Sequence, residues 1–107
     1  MASYRVEVTD QARKELKRLP GNMRQRVFRE LQALRQEPRP SNSRLLDMTK
    51  IDVEMVSDMV LCRIRIASWR IVYVIEEELN LVSVLTIRQR PPYQYDDLAD
   101  LLKNVEP

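Results

Sequence analysis

Arginine carries most of the chemistry available to this chain, and three of its arginines fall at β-strand spacing. In Cys62-Arg-Ile-Arg-Ile-Ala-Ser-Trp-Arg-Ile-Val-Tyr-Val-Ile75, basic and apolar residues alternate with period two up to a break at Ala67-Ser68. That is the pattern of a β-hairpin with one buried face. A two-residue loop at Ala67-Ser68 sets Ile66 against Trp69, Arg65 against Arg70, Ile64 against Ile71 and Arg63 against Val72. Directly opposed residues share a face, so Ile64, Ile66, Trp69 and Ile71 form a core side, while Arg63, Arg65 and Arg70 gather on the other. Like charges directly across a ladder cost up to about 1 kcal/mol. A sheet that keeps them offers a site to an anion, and phosphate fits, because planar guanidinium forks meet its oxygens two at a time.

Other chemistries are excluded by composition. The chain has no histidine, which removes histidine acid–base pairs, Ser–His and Cys–His triads and histidine metal sites. Its only glycine, Gly21, lies between two helical patterns, so no glycine loop cradles a phosphate. The carboxylates at Asp96-Asp97 read as the acidic first turn of a helix, and Glu76-Glu77-Glu78 as a solvated turn. The single cysteine, Cys62, falls on the core side of the hairpin and reads as a buried free thiol.

The elements that must position the arginines follow in order. Residues 3–9 alternate and read as a strand with Tyr4, Val6 and Val8 inward. Thr9 or Asp10 can cap a first helix carrying Ala12, Leu16 and Leu19, which Pro20-Gly21 ends. Asn22 is a cap for a second helix with Met23, Val27, Leu31 and Leu34 as its stripe, closed by Pro38 and Pro40. Residues 44–48 form a short ordered stretch, and 53–57 an edge strand or a loop. After the hairpin, residues 81–87 are apolar on both faces, as in a central strand, and run into Arg88-Gln89-Arg90. Pro91-Pro92 stops that strand, and residues 97–102 fit a short closing helix. The fold class is α+β: a strand, a two-helix hairpin, an antiparallel three-stranded meander and a short C-terminal helix.

With 107 residues, the chain is expected to be a single domain, 1–107. Its apolar runs are too short to span a bilayer and no secretory leader is visible, so a cytoplasmic protein without a membrane partner is expected. The net charge of +2 conceals segregation: residues 1–44 hold eleven basic and five acidic side chains, and 63–75 hold three basic and no acidic ones. Basic patches on a nearly neutral domain suit local recognition of a polyanion. The arginines on the helical hairpin are read as a solvated surface.

The hairpin 63–73, followed by Val84-Leu-Thr-Ile-Arg-Gln-Arg90 and Tyr95, resembles the RelE/ParE superfamily of toxins from bacterial toxin–antitoxin modules, as do the opening strand and first helix from Tyr4 to Pro20. The resemblance covers nearly the whole chain and is weakest at 41–59. It implies the RelE activity, cleavage of mRNA in the ribosomal decoding site with neither metal nor other cofactor, and a cognate antitoxin as partner. The ParE branch keeps the fold and poisons DNA gyrase, which is the alternative; a catalytically silent relative that only binds antitoxin is another. By position, Arg65, Arg70, Arg90 and Tyr95 correspond to catalytic residues, and Arg63, Arg88, Tyr93 and Lys50 to substrate-binding ones. Tyr93 rivals Tyr95 for the tyrosine beyond the last strand. Arginine is essentially never a proton donor or base, which leaves Tyr95, Tyr93, Lys50 and Glu54 as candidates for proton transfer.

Overall fold

Thr9 shows how closely local sequence and tertiary structure cooperate here. Its hydroxyl accepts the Ala12 N–H at 3.3 Å, capping the first helix, and donates to the Val84 carbonyl at 2.9 Å on a strand far along the chain. One short polar side chain thus ends strand β1 (Arg5–Val8), starts helix α1 (Asp10–Lys17) and ties both to the sheet. The computed structural model describes residues 3–46 and 59–89.

Helix α2 (Gly21–Ala33) follows directly. Pro20, rather than the expected Asn22, takes its N-cap position, and Asn22 lies one residue inside the helix, its Oδ1 accepting the Met23 N–H at 2.9 Å. Proline serves here because it lacks the N–H that a helix start leaves without an intrahelical partner, and its carbonyl accepts from Arg24 at 2.8 Å. The helices turn Ala12, Leu19, Val27, Leu31 and Leu34 into the core, with Leu16 and Met23 partly buried beside them.

Four further strands complete a five-stranded mixed sheet: β2 (Ser43–Leu45), β3 (Met59–Ile66), β4 (Trp69–Glu76) and β5 (Leu81–Gln89), in the order β1-β5-β4-β3-β2. The expected meander is β3-β4-β5, all antiparallel. The opening strand pairs parallel to β5, and the short ordered stretch after the helices becomes edge strand β2 against β3. Strand β5 lies inside the sheet, between β1 and β4, and is buried from Leu81 to Ile87. The expected edge strand or loop at 53–57 and the closing helix at 97–102 lie outside the described residues. No described helix is long and apolar enough to cross a membrane.

The hairpin register is the one expected: Ile66 opposes Trp69, Arg65 opposes Arg70, Ile64 opposes Ile71 and Arg63 opposes Val72. Ala67 makes this possible by adopting a φ of 53°. A left-handed conformation at a residue with a Cβ costs roughly 1–2 kcal/mol. Of the two turn residues only Ala67 has positive φ, so the turn is not of type I′, which needs both. Ile64, Ile66 and Ile71 are buried in the core cluster with Cys62 and Tyr73, and Trp69 packs against it.

Candidate nucleic-acid interface

Period two on each strand, combined with the register between strands, decides where the arginines meet. Arg63 and Arg65 share one face of β3; Arg44 of β2 opposes Arg63, Arg70 of β4 opposes Arg65, and Arg88 of β5 opposes Arg70. Five arginines from four strands therefore occupy one face in two cross-strand rows, Arg44–Arg63 and Arg65–Arg70–Arg88. Strands lie about 4.8 Å apart, so no guanidinium in a row is remote from the next.

The five are not in equivalent settings. Arg44 and Arg65 are exposed, and Arg63 and Arg88 half-buried. Arg70 is only 1% exposed. Its Nη1 donates to the carbonyls of Ala67 at 3.2 Å and Trp69 at 3.0 Å. The guanidinium thus braces the strained hairpin tip from the inside. Arg70 does share the face of Arg63 and Arg65, but it is buried there rather than open to an anion, and the turn carbonyls occupy its Nη1.

The exposed end of the face is concave. Arg44, Arg63 and Arg65 line a groove of about 320 Å³ with Ser41 and Asn42. Three guanidinium groups with a hydroxyl and an amide form a polar, cationic trough open to solvent, suited to a phosphate-bearing chain and ill suited to an apolar ligand. Arg44 was absent from the residues singled out in the sequence. Its signal was faint, a single arginine in a three-residue strand, and only the pairing with Arg63 gives it meaning.

At the other end of the row Arg88 is held by a chain of hydrogen bonds. Its Nε donates to the Thr86 hydroxyl at 3.0 Å, and that hydroxyl donates to Glu15 Oε1 at 2.7 Å. The same carboxylate oxygen accepts the Ile87 N–H at 3.0 Å. Strand β1 pairs with β5 only as far as Val84, and Glu15 of α1 supplies an acceptor to the edge of β5 beyond that point.

Arg90, Tyr93, Tyr95, Lys50 and Glu54 lie outside the described residues. The described titratable groups with perturbed protonation sit elsewhere. Burial pushes the Cys62 thiol up, away from the thiolate a nucleophile needs. Burial likewise raises the Tyr73 phenol, whose hydroxyl donates to the Pro38 carbonyl at 2.8 Å. Glu77 accepts from the Tyr4 hydroxyl at 2.7 Å and pairs with Arg39 at 2.6 Å; these bonds hold its carboxyl below the ordinary value and raise the pKa of Tyr4 and of Arg39. This cluster joins the residue before β1, the segment after α2 and the turn after β4, at the opposite end of β4 from the hairpin tip. Among the described residues, no group of three or more His, Cys, Asp or Glu side chains could hold a metal ion.

A helical hairpin packed on a five-stranded mixed sheet is the fold of several solved toxins. The archaeal RelE–RelB complex from Pyrococcus horikoshii OT3 matches with a TM-score of 0.71 at 24% identity, over 85% of this chain and 99% of that one. The RelBE2 toxin–antitoxin complex from Mycobacterium tuberculosis matches with a TM-score of 0.64 at 23% identity, over 83% and 100%. A mutant of the E. coli toxin RelE in the free state matches with a TM-score of 0.60 at 19% identity, over 96% and 93%. No curated protein matches the chain. Residues 6–91 match the family model described as the ParE toxin of type II toxin–antitoxin system, parDE. The chain belongs to that family and is a toxin of the RelE/ParE superfamily.

Proposed function

We propose that this toxin is a metal-independent, ribosome-dependent mRNA endoribonuclease that blocks translation in the cytoplasm and is held in check by a cognate antitoxin. The observation that carries the reading is the pair of arginine rows, with their exposed end forming a cationic groove. In the proposed reaction the ribose 2′-oxygen attacks the adjacent phosphorus and the bond from phosphorus to the 5′-oxygen breaks. A 2′,3′-cyclic phosphate and a 5′-hydroxyl result, and the proton from the 2′-OH goes to a base while the leaving oxygen gains one. Arg65 and Arg63 face the groove and would hold the phosphate chain; Arg88 and Arg90 would offset charge on the pentacoordinate transition state. Arg70 would contribute by fixing the hairpin that carries Arg65. Tyr95, Tyr93 and Lys50 are the proposed partners for base stacking, substrate contact and proton transfer. The antitoxin partnership is supported by the likeness to RelE structures, two of which are toxin–antitoxin complexes; dependence on the ribosome follows from the sequence resemblance to the RelE branch. Primer extension on a message translated with and without the toxin tests the reading. Fresh cuts within codons are expected, and an intact message with arrested growth would overturn it.

A second reading is favoured by the family model itself, which is the ParE toxin. In that reading the chain inhibits DNA gyrase by binding it. Loss of supercoiling in a purified gyrase assay, with messages left uncut, is its signature.

A further inference from the structure

We infer that Glu15, acting through Thr86, is a positioning residue for Arg88. This rests on the reading of the arginine face as the surface that contacts RNA. The argument begins with a mismatch in the sheet: β1 pairs with β5 only to Val84, so Thr86 and Ile87 lie on a stretch of β5 whose outer edge has no strand beside it. Helix α1 covers that stretch, and Glu15 places one carboxylate oxygen 2.7 Å from the Thr86 hydroxyl and 3.0 Å from the Ile87 N–H.

A carboxylate there does more than satisfy an edge. Thr86 is fully buried, and its hydroxyl carries a single proton. By accepting that proton's hydrogen bond, Glu15 turns the lone pairs of the hydroxyl toward the arginine two residues along the same face, where Arg88 Nε donates at 3.0 Å. The order guanidinium to hydroxyl to carboxylate has each donor aimed at a better acceptor, and such chains polarise one another. Rotation of the hydroxyl proton toward Arg88 would break the bond to Glu15, so the carboxylate selects one orientation. Arg88 is thereby fixed at Nε in the row it shares with Arg70 and Arg65. A guanidinium that must meet a transition-state phosphate gains from such fixing, because small misplacements of a contacting group cost rate steeply.

Two readouts test the inference, one independent of activity. In ¹⁵N-labelled protein the Arg88 Nε–Hε resonance, identified by its loss in Arg88→Lys, should exchange slowly with water in the wild type and in Thr86→Ser. It should exchange about tenfold faster in Thr86→Val, which removes the acceptor while keeping the shape. Glu15→Gln, nearly isosteric, should give a smaller increase and serves if the valine variant does not fold. In the ribosome assay, Thr86→Val should lower the single-turnover cleavage rate at saturating toxin about 10- to 100-fold. Thr86→Ser should restore it, and binding of the toxin to the ribosome should be unchanged. The same Thr86→Val substitution should cost nothing further in an Arg88→Ala background. An unchanged Hε exchange in folded Thr86→Val and Glu15→Gln overturns the positioning role outright, as does a full additional loss in the Arg88→Ala background. If the wild type cuts no message, the RNA reading falls, and the exchange measurement alone decides whether Glu15 and Thr86 fix Arg88.

Discussion

Arg65 and Arg70 oppose each other across β3 and β4, carry the same charged group and face the same way, yet their surroundings assign them opposite roles. Arg65 is exposed and lines an open groove. Arg70 is buried, and its guanidinium holds the carbonyls on either side of Ser68. Burying a guanidinium is costly unless its donors find acceptors, and the carbonyls of Ala67 and Trp69 at the hairpin tip supply them. The cross-strand pair is therefore one arginine presented to solvent, where the proposed RNA contact would fall, and one buried arginine whose hydrogen bonds fix the tip from which the first is presented. A row of like charges across a sheet need not be a row of like functions.

The largest effect expected from breaking this contrast is in Arg70→Ala. Losing a buried side chain together with two charge-assisted hydrogen bonds should cost about 3 kcal/mol or more, a fall in Tm above roughly 10 °C for a domain of this size. Arg65→Ala should change urea-unfolding stability by less than about 0.5 kcal/mol, while cutting the rate of message cleavage about 10²- to 10³-fold. Equal stability of the two variants would erase the distinction.

A smaller effect sharpens it. Ala67 holds the tip at φ 53°, a strain that glycine does not feel. Ala67→Gly should raise the urea midpoint, with a gain of about 0.5–1 kcal/mol once the extra freedom of glycine in the unfolded chain is allowed for. A loss of stability would show that the alanine methyl group is needed at the tip.

The smallest effect lies at the far end of β4, where Tyr4, Arg39 and Glu77 form a half-exposed cluster. Glu77 has a folded-state pKa below its ordinary 4.5. Its contribution is therefore present above that pH and is lost as pH falls through the lower folded value. Glu77→Gln should cost less than about 1 kcal/mol at pH 7, because solvent and salt screen the pair, and the difference should shrink as pH drops below 4.5. A difference that persists undiminished in acid would remove the carboxylate from the account. Cleavage by this variant should match wild type, since the cluster is apart from the arginine face.

Much of this was legible in residue order because the relevant patterns are short. Alternation in residues 62–66 told which side each arginine takes, and a two-residue break told the register. The stripes of the two helices were likewise readable, since residues three and four apart share a helix face. The second helix's start was misjudged by two residues, Asn22 for Pro20, because asparagine and proline both suit a helix entrance. Arg44 could not have been singled out: a three-residue edge strand has too little alternation to show a face.

Local periodicity, then, determined by itself the sides of the hairpin, the helical stripes and the gathering of Arg63, Arg65 and Arg70, since strand and helix geometry act over a few residues. Only tertiary structure decided that Arg44 joins Arg63, that Arg70 is buried, and that Glu15 reaches Thr86 from 71 positions away in the chain. Those outcomes depend on which strands become neighbours and which edge of β5 is left for α1 to cover. Neighbours of that kind are chosen by the burial of the whole core, and no short window of sequence contains that choice.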